Sequence, residues 1–290
     1  MSRITVENDI MPRIREILPE TDCVRLSYEP AECSVWDSKL GGIPYYPKDM
    51  EYPTGSGSSE GETLIFLCQL NLSELPHIKG FPDKGMLQFF ISGDLDMAMP
   101  DACTTEGGYK VVYHPDIITD ESLLYTEDDM PEYEIDDDMF PIHEEYLITG
   151  KLTKSLPTMD DFRFEKEVLA IIEEKTGVKL DSAFDIFLPQ NKGFVAKNLE
   201  LGFDDKLWET NLIREDDTPS FMGGYPHFDQ NDPRRNYYED HTVMLLQIGS
   251  VYDDDVSIEW GDGGTANFFI TEKALKELDF SEVLFNWDCG

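Results

Sequence analysis

Five histidines and five cysteines are the residues in this 290-residue chain with the most reactive side chains. The histidines are His77, His114, His143, His227 and His241, and no two stand at a helical metal-binding spacing. "IHEEY" at Ile142 to Tyr146 is not H-E-x-x-H. The chain has no G-x-S-x-G elbow, no G-x-x-x-x-G-K and no G-x-G-x-x-G after a strand. Cys23, Cys33, Cys68, Cys103 and Cys289 are odd in number and contain no C-x-x-C pair, which argues against a disulfide framework and a zinc ribbon. A dyad of Cys289 with His227 or His241 would place its nucleophile at the penultimate residue. No metal and no cofactor is expected from this inventory.

The most site-like stretch is "SIEWGDGGTANFFI" at Ser257 to Ile270. Trp260 precedes an acidic turn in which Asp262 can cap its own backbone or contact a cation or ligand. It lacks the spaced acids of an EF-hand. Two further phrases invite a functional reading: "KLGGIPYYP" at Lys39 to Pro47 and "FMGGYPHFDQNDPR" at Phe221 to Arg234. In each, a Gly pair (Gly41–Gly42 and Gly223–Gly224) allows positive φ or close backbone approach, and Pro44 or Pro226 then fixes φ. Either phrase could be a shaped turn or a lip over a ligand cleft.

Matching text follows each phrase. "TLIFLCQLNLS" is echoed by "HTVMLLQIGS", with Gln247 in the place of Gln69, and "LQFFIS" by "ANFFIT". The separation from Gln69 to Phe89 is 20 residues, and from Gln247 to Phe268 it is 21. This predicts a duplicated unit of loop, buried strand with a central Gln, connection and Phe-Phe-Ile strand. A Gln inside an apolar run must find partners. The candidates are the other half's backbone, which would lock the repeats together, or a shared pocket lined by both amides.

Around these motifs the pattern predicts an amphipathic helix over Ile10 to Leu18, stopped before Pro19, and a half-buried strand in "CVRLSYEP". Further strands are expected in "TLIFLCQLNLSELP", "GMLQFFISGD" and "YKVVYHP". Residues 111–150 carry 13 acids and no Lys or Arg, yet they intersperse apolar residues, and they read as an ordered, loop-rich connector. The clearest helix is Met159 to Gly177, with Phe164, Val168, Ile171 and Ile172 on one stripe and Gly177 as its stop. The expected fold is α+β: two similar β-rich halves packed as one domain, 1–290, with flanking helices. The first half covers about 20–115, the acidic connector and helix about 116–215, and the second half about 216–290.

The formal net charge is −37, from 23 basic and 60 acidic residues. Such a surface repels nucleic-acid phosphates and anionic lipid and attracts basic proteins. Neither a signal-peptide core nor a membrane-length apolar run is evident, so a cytoplasmic location is expected.

The phrases "SKLGGIPYYP", "LCQLNLSELP", "GMLQFFI", "YKVVYHP", "GGYPHFDQNDPR", "LLQIGS", "WGDGGTANFFI" and "LDFSEVLFNWDCG" resemble those of the YwqG-like family, a bacterial domain of unknown function. The resemblance implies a soluble bacterial α+β protein and supplies no accepted activity. The residues themselves point to a non-enzymatic binding protein with a cleft lined by Gly41, Gly42, Pro44, Gln69, Gly223, Gly224, Pro226, His227, Gln247, Trp260 and Asp262. Its partner would be a basic protein, for example a toxin that an acidic immunity protein neutralises. The rival is a hydrolase using Asp262 and His227 in that cleft.

Overall fold

The described residues form twelve strands and five α-helices. The structure is a computed structural model and describes residues 3–94, 105–135, 139–209, 220–235 and 237–290. Cys103 and the acidic cluster at 136–138 lie outside the described residues. The strands are β1 (Thr21–Pro30), β2 (Lys39–Leu40), β3 (Ile65–Asn71), β4 (Met86–Ile91), β5 (Tyr109–His114) and β6 (Tyr146–Ser155). They continue with β7 (Ser220–Met222), β8 (Val243–Gly249), β9 (Val251–Tyr252), β10 (Ser257–Ile258), β11 (Thr265–Ile270) and β12 (Leu284–Asp288). The helices are α1 (Met11–Ile17), α2 (Phe162–Thr176), α3 (Lys192–Asn198), α4 (Phe203–Glu209) and α5 (Glu272–Glu277).

The chain divides into two compact units. One comprises Met1–Thr21, Lys154–Asp217 and Tyr225–His227 and holds α1 to α4. Its core is the predicted stripe of α2, with Phe164, Val168, Ile171 and Ile172 buried among Ile10, Ile14 and Phe203. The buried Asp161 carboxylate caps α2 through the Arg163 N–H at 2.9 Å and pairs with the same residue's guanidinium. Gly177 ends the helix at φ 72°, a left-handed conformation that favours glycine.

The other unit comprises Asp22–Thr153, Thr218–Gly224 and Phe228–Gly290, and its main element is a ten-stranded sheet in the order β12-β11-β8-β7-β1-β6-β2-β3-β4-β5. The fold is therefore mostly β with a few helices. The sheet's terminal strands approach one another. The Tyr109 hydroxyl of β5 donates to the Val283 carbonyl beside β12 at 3.1 Å, and the rings of Tyr109 and Phe285 lie 5.2 Å apart, so the sheet is nearly closed. Inside, Leu87, Phe89 and Ile91 of β4 share one core with Ala266, Phe268 and Ile270 of β11. Phe66 and Phe90 pack on the other face. A register shift between Phe66 and Cys68 turns both Leu67 and Cys68 inward. With both faces covered, these strands read as unbroken apolar runs rather than alternation.

The acidic connector needs one correction. Its last residues form β6, which runs through the middle of the sheet between β1 and β2. Gly150 lies within β6 because a Cβ there would come within 2.7 Å of Val24 Cγ1 and 2.8 Å of Leu75 Cδ2. The C-terminal phrase likewise holds a strand, β12, that the pattern reading did not identify.

Candidate functional site

Both residues of the first Gly pair take positive φ, 64° and 71°, and both leave no space for a side chain. A Cβ on Gly41 would sit 2.5 Å from the Glu144 carbonyl oxygen, and one on Gly42 would sit 2.1 Å from Glu145 Oε1. That carboxylate is held by the Lys39 ammonium at 2.8 Å, and Lys39 is only 1% exposed. It also accepts from the Cys33 N–H at 3.1 Å. The turn then sends Pro44, Tyr45 and Tyr46 across the outer face of β3 and β4.

The central Gln explains how that crossing is fixed. Gln69 Oε1 accepts from the Tyr45 N–H at 2.8 Å, while its Nε2 donates to the carbonyls of Val35 at 2.9 Å and Asp37 at 2.8 Å. On the paired strand, Gln88 Nε2 donates to the Tyr45 carbonyl. The Gln88 Oε1 then accepts from His114 Nε2 at 2.8 Å. Burial pushes the His114 imidazole down to about 4, so it is neutral at pH 7 and can donate as the Nε2 tautomer. Gln69 and Gln88, on paired strands, thus clamp the backbone N–H and C=O of one residue, Tyr45. The expectation that Gln69 bonds the other half's backbone is corrected: the partners at Val35, Asp37 and Tyr45 lie in its own half.

In the second phrase, Gly223 and Gly224 also have positive φ, 73° and 88°. A Cβ on Gly223 would come within 2.5 Å of Ile78 Cδ1. Gln247 is fully buried opposite Phe221 of β7 and Asn267 of β11. Phe228 packs on Phe269 at 5.9 Å. Arg234 lies over the same ring, its guanidinium 4.2 Å from the Phe269 centroid. It is fully buried, bonded to Asp232 at 2.9 and 2.6 Å and to the His241 carbonyl at 3.1 Å.

The remaining candidates fall in both units. Trp260 is a fully buried core residue, 6.5 Å from the Trp287 ring. Its carbonyl accepts from the Gly264 N–H at 2.7 Å and closes the turn that leaves Asp262 exposed. His227, in the helical unit with Pro226, pairs through Nδ1 with Asp160 Oδ2 at 2.8 Å. His241 is engaged at both ring nitrogens, by Asp240 at 3.0 Å and the Glu282 carbonyl at 3.0 Å. Burial, then Glu145, pushes the Cys33 thiol up to about 11, away from the reactive thiolate.

An open groove in the sheet unit has a better claim. It has a volume of about 670 Å³ and runs along β5. Tyr109, Lys110, Val111, Val112 and Tyr113 all contribute to it. Side chains alternate along a strand, so five consecutive lining residues mean that the groove faces the edge of β5. The opposite wall comes from the link between α5 and β12, with Leu278 and Phe280, and Glu51 stands at a third side. None of the cleft residues named as site candidates from the sequence lines it, although Tyr46 of the first glycine phrase and the YKVVYHP strand do. The missed signal was the exposed Leu278, an apolar residue just beyond a short helix.

No helix among the described residues is long and apolar enough to cross a membrane. No curated protein matches the sequence. The family model of a domain of unknown function, DUF1963, matches residues 38–289, from the residue before the Lys39 turn to the end of the groove's far wall and beyond, and the chain belongs to that family.

Proposed function

We propose that this chain is a non-enzymatic binding protein that takes a basic protein partner in the groove along β5. One observation carries the reading: an amphipathic groove with an acidic border runs along β5. Glu51 lines it, and the exposed Glu106, Asp279 and Glu282 each adjoin a lining residue in sequence. Lys110 is the one basic lining residue. In a chain of net charge −37, this favours a cationic ligand. The hydrolase alternative uses Asp262 and His227, neither of which lines this groove. A cytoplasmic site of action, membership of the narrower YwqG-like group and a toxin as the basic partner belong to the same proposal.

The scaffold is read here as two copies of one unit, β2-β3-β4-β5 and β7-β8-β11-β12. The sheet order supports this, since the two sets run outward from the central β1 and β6 in the same sequence. Lys39 faces Gln69 as Phe221 faces Gln247. The register shift beside Leu67 has its counterpart beside Leu245. Ser38 Oγ accepts from the Asn71 N–H at 2.8 Å as Ser220 Oγ accepts from the Gly249 N–H at 3.2 Å.

The test is binding of fluorescein-labelled basic, neutral and acidic peptides of equal length, at low and moderate salt, to the wild type and to Phe280→Lys. The expected result is selective binding of the basic set, weakened by salt and lost in the variant. Equal retention by Phe280→Lys, or no preference for basic peptides, would overturn the reading.

A further inference from the structure

We infer that the groove takes an arginine side chain of the basic partner, its guanidinium laid on the rings at the Tyr113 end of β5 and paired with the Glu51 carboxylate. This rests on the binding reading above and names the ligand group. Tyr46, Tyr109, Tyr113 and Phe280 all line the groove. The Tyr46 hydroxyl donates to the Glu51 carbonyl at 2.8 Å, that of Tyr109 to the Val283 carbonyl at 3.1 Å and that of Tyr113 to the Lys84 carbonyl at 2.8 Å. Each hydroxyl has given its proton to a carbonyl of this chain. What it can offer a ligand is lone pairs and ring surface, both attractive to a cation. Tyr113 is half-buried, and its ring packs on Phe280 with centroids 5.4 Å apart, so the two rings join β5 to the far wall. A planar, weakly hydrated guanidinium gains more from such rings than an ammonium does.

The chain's own arginines show ring and carboxylate acting together. Arg234 lies 4.2 Å from the Phe269 centroid while bonded to Asp232. Arg163 lies 5.6 Å from the Tyr225 centroid while bonded to Asp161. In the groove the rings come with one acidic lining residue, Glu51, which is exposed and forms no ion pair with a described residue. Lys110 is the one basic lining residue. It stands three residues from Tyr113 on β5, about 10 Å, which is about one screening length. Its like charge therefore directs the guanidinium to the Tyr113 end. A second copy of this chain would bring another −37, so self-association through the groove is disfavoured.

Leu278 completes the seat. It is the only non-glycine residue with positive φ among the described residues, at 56°, and it is 44% exposed. Helix ends of this kind take glycine, because a Cβ is strained there. A leucine kept in such a place costs stability, and backbone outliers concentrate at ligand-holding sites. Beside Phe280 it gives apolar cover to the methylene stem of an arginine.

The probes are two fluorescein-labelled peptides of equal length and charge in a Gly-Ser background, one basic through arginine alone and the other through lysine alone. Both are titrated with the full chain by fluorescence anisotropy. The wild type is expected to bind the arginine peptide on the order of fivefold or more tightly than the lysine peptide. Glu51→Gln keeps the backbone carbonyl that accepts from Tyr46 and is expected to weaken binding of the arginine peptide. Tyr113→Leu removes the ring and is expected to bring the two peptides together; if that variant does not fold, Glu51→Gln decides the point. Equal affinity of the wild type for both peptides would overturn the arginine seat and leave the binding reading standing on charge alone. A preference for arginine that is unchanged in the folded variants would overturn it too, by placing the arginine elsewhere. Failure of both peptides to bind would overturn the binding reading as well.

Discussion

Replacing Gln69 by leucine separates the two roles a buried amide could have. The shape is nearly kept, and all four hydrogen bonds of the amide are lost: from the Tyr45 N–H, from Gln88 Nε2, and to the carbonyls of Val35 and Asp37. Tyr45 and Gln69 are both fully buried, so the Tyr45 N–H has no water to turn to. An unsatisfied buried donor costs about 1–3 kcal/mol. The Val35 and Asp37 carbonyls belong to partly exposed residues, so each should add about 1 kcal/mol at most. With the donor at the middle of its range and both carbonyls at their limit the sum is about 4 kcal/mol, softened by about 1 kcal/mol of added apolar burial. A net loss of about 3 kcal/mol corresponds to a fall in the melting midpoint of the sheet unit of about 6–12 °C. Circular dichroism at 218 nm, a wavelength chosen for β-structure, would follow it. Gln69→Glu should cost at least as much, because a carboxylate cannot donate to two carbonyls. A midpoint within 2 °C of wild type for Gln69→Leu, with peptide binding abolished, would refute the clamp and return Gln69 to a ligand site.

Three further outcomes follow from the same geometry. Gly223→Val should cost about 2–4 kcal/mol, from the left-handed backbone and the clash with Ile78, whereas Gly80→Ala, with φ 97° and open space, should cost about 1 kcal/mol; urea unfolding compares them. Leu278→Gly relieves about 1–2 kcal/mol of backbone strain and forfeits a similar amount of apolar contact and chain entropy, so its midpoint should stay close to wild type while peptide affinity falls; a large loss of stability would make Leu278 a core residue. His114 has a folded value of about 4 against about 6.5 unfolded, so the unfolded state binds the proton first, and its contribution is complete above pH 6.5 and declines by about 3 kcal/mol as pH falls to 4; denaturant midpoints across that range should show this slope in wild type and not in His114→Gln.

Much of the scaffold was legible because burial writes itself into the pattern. The β3, β4, β8 and β11 runs, the α2 stripe and the glycine pairs each answer to one local requirement. What was not legible depends on neighbours far away in sequence. β6 lacks a clean alternation, since Gly150 yields its side chain to Val24 and Leu75, and its outer positions carry Lys and Thr. Gln69 looked like a possible pocket residue because an amide in an apolar run demands partners, and the sequence does not say that the partners are the peptide groups of Val35, Asp37 and Tyr45. Trp260 and Asp262, adjacent to the same turn, part company on burial alone.

The groove escaped notice for a related reason: it is not made of repeated text. On the duplication reading, the matched residues are those that every copy needs to fold, namely the glycine turn, the central Gln and the Phe-Phe-Ile strand. They are consumed in holding each half together, as the Gln69 clamp on Tyr45 illustrates. The groove joins an edge strand of one half, β5, to a connection of the other, Leu278 to Val283. Neither half contains both walls. Repetition therefore marks the scaffold here, and the place to look for function is where the two halves differ: Lys110 and Tyr113 on one side, and the strained Leu278 on the other.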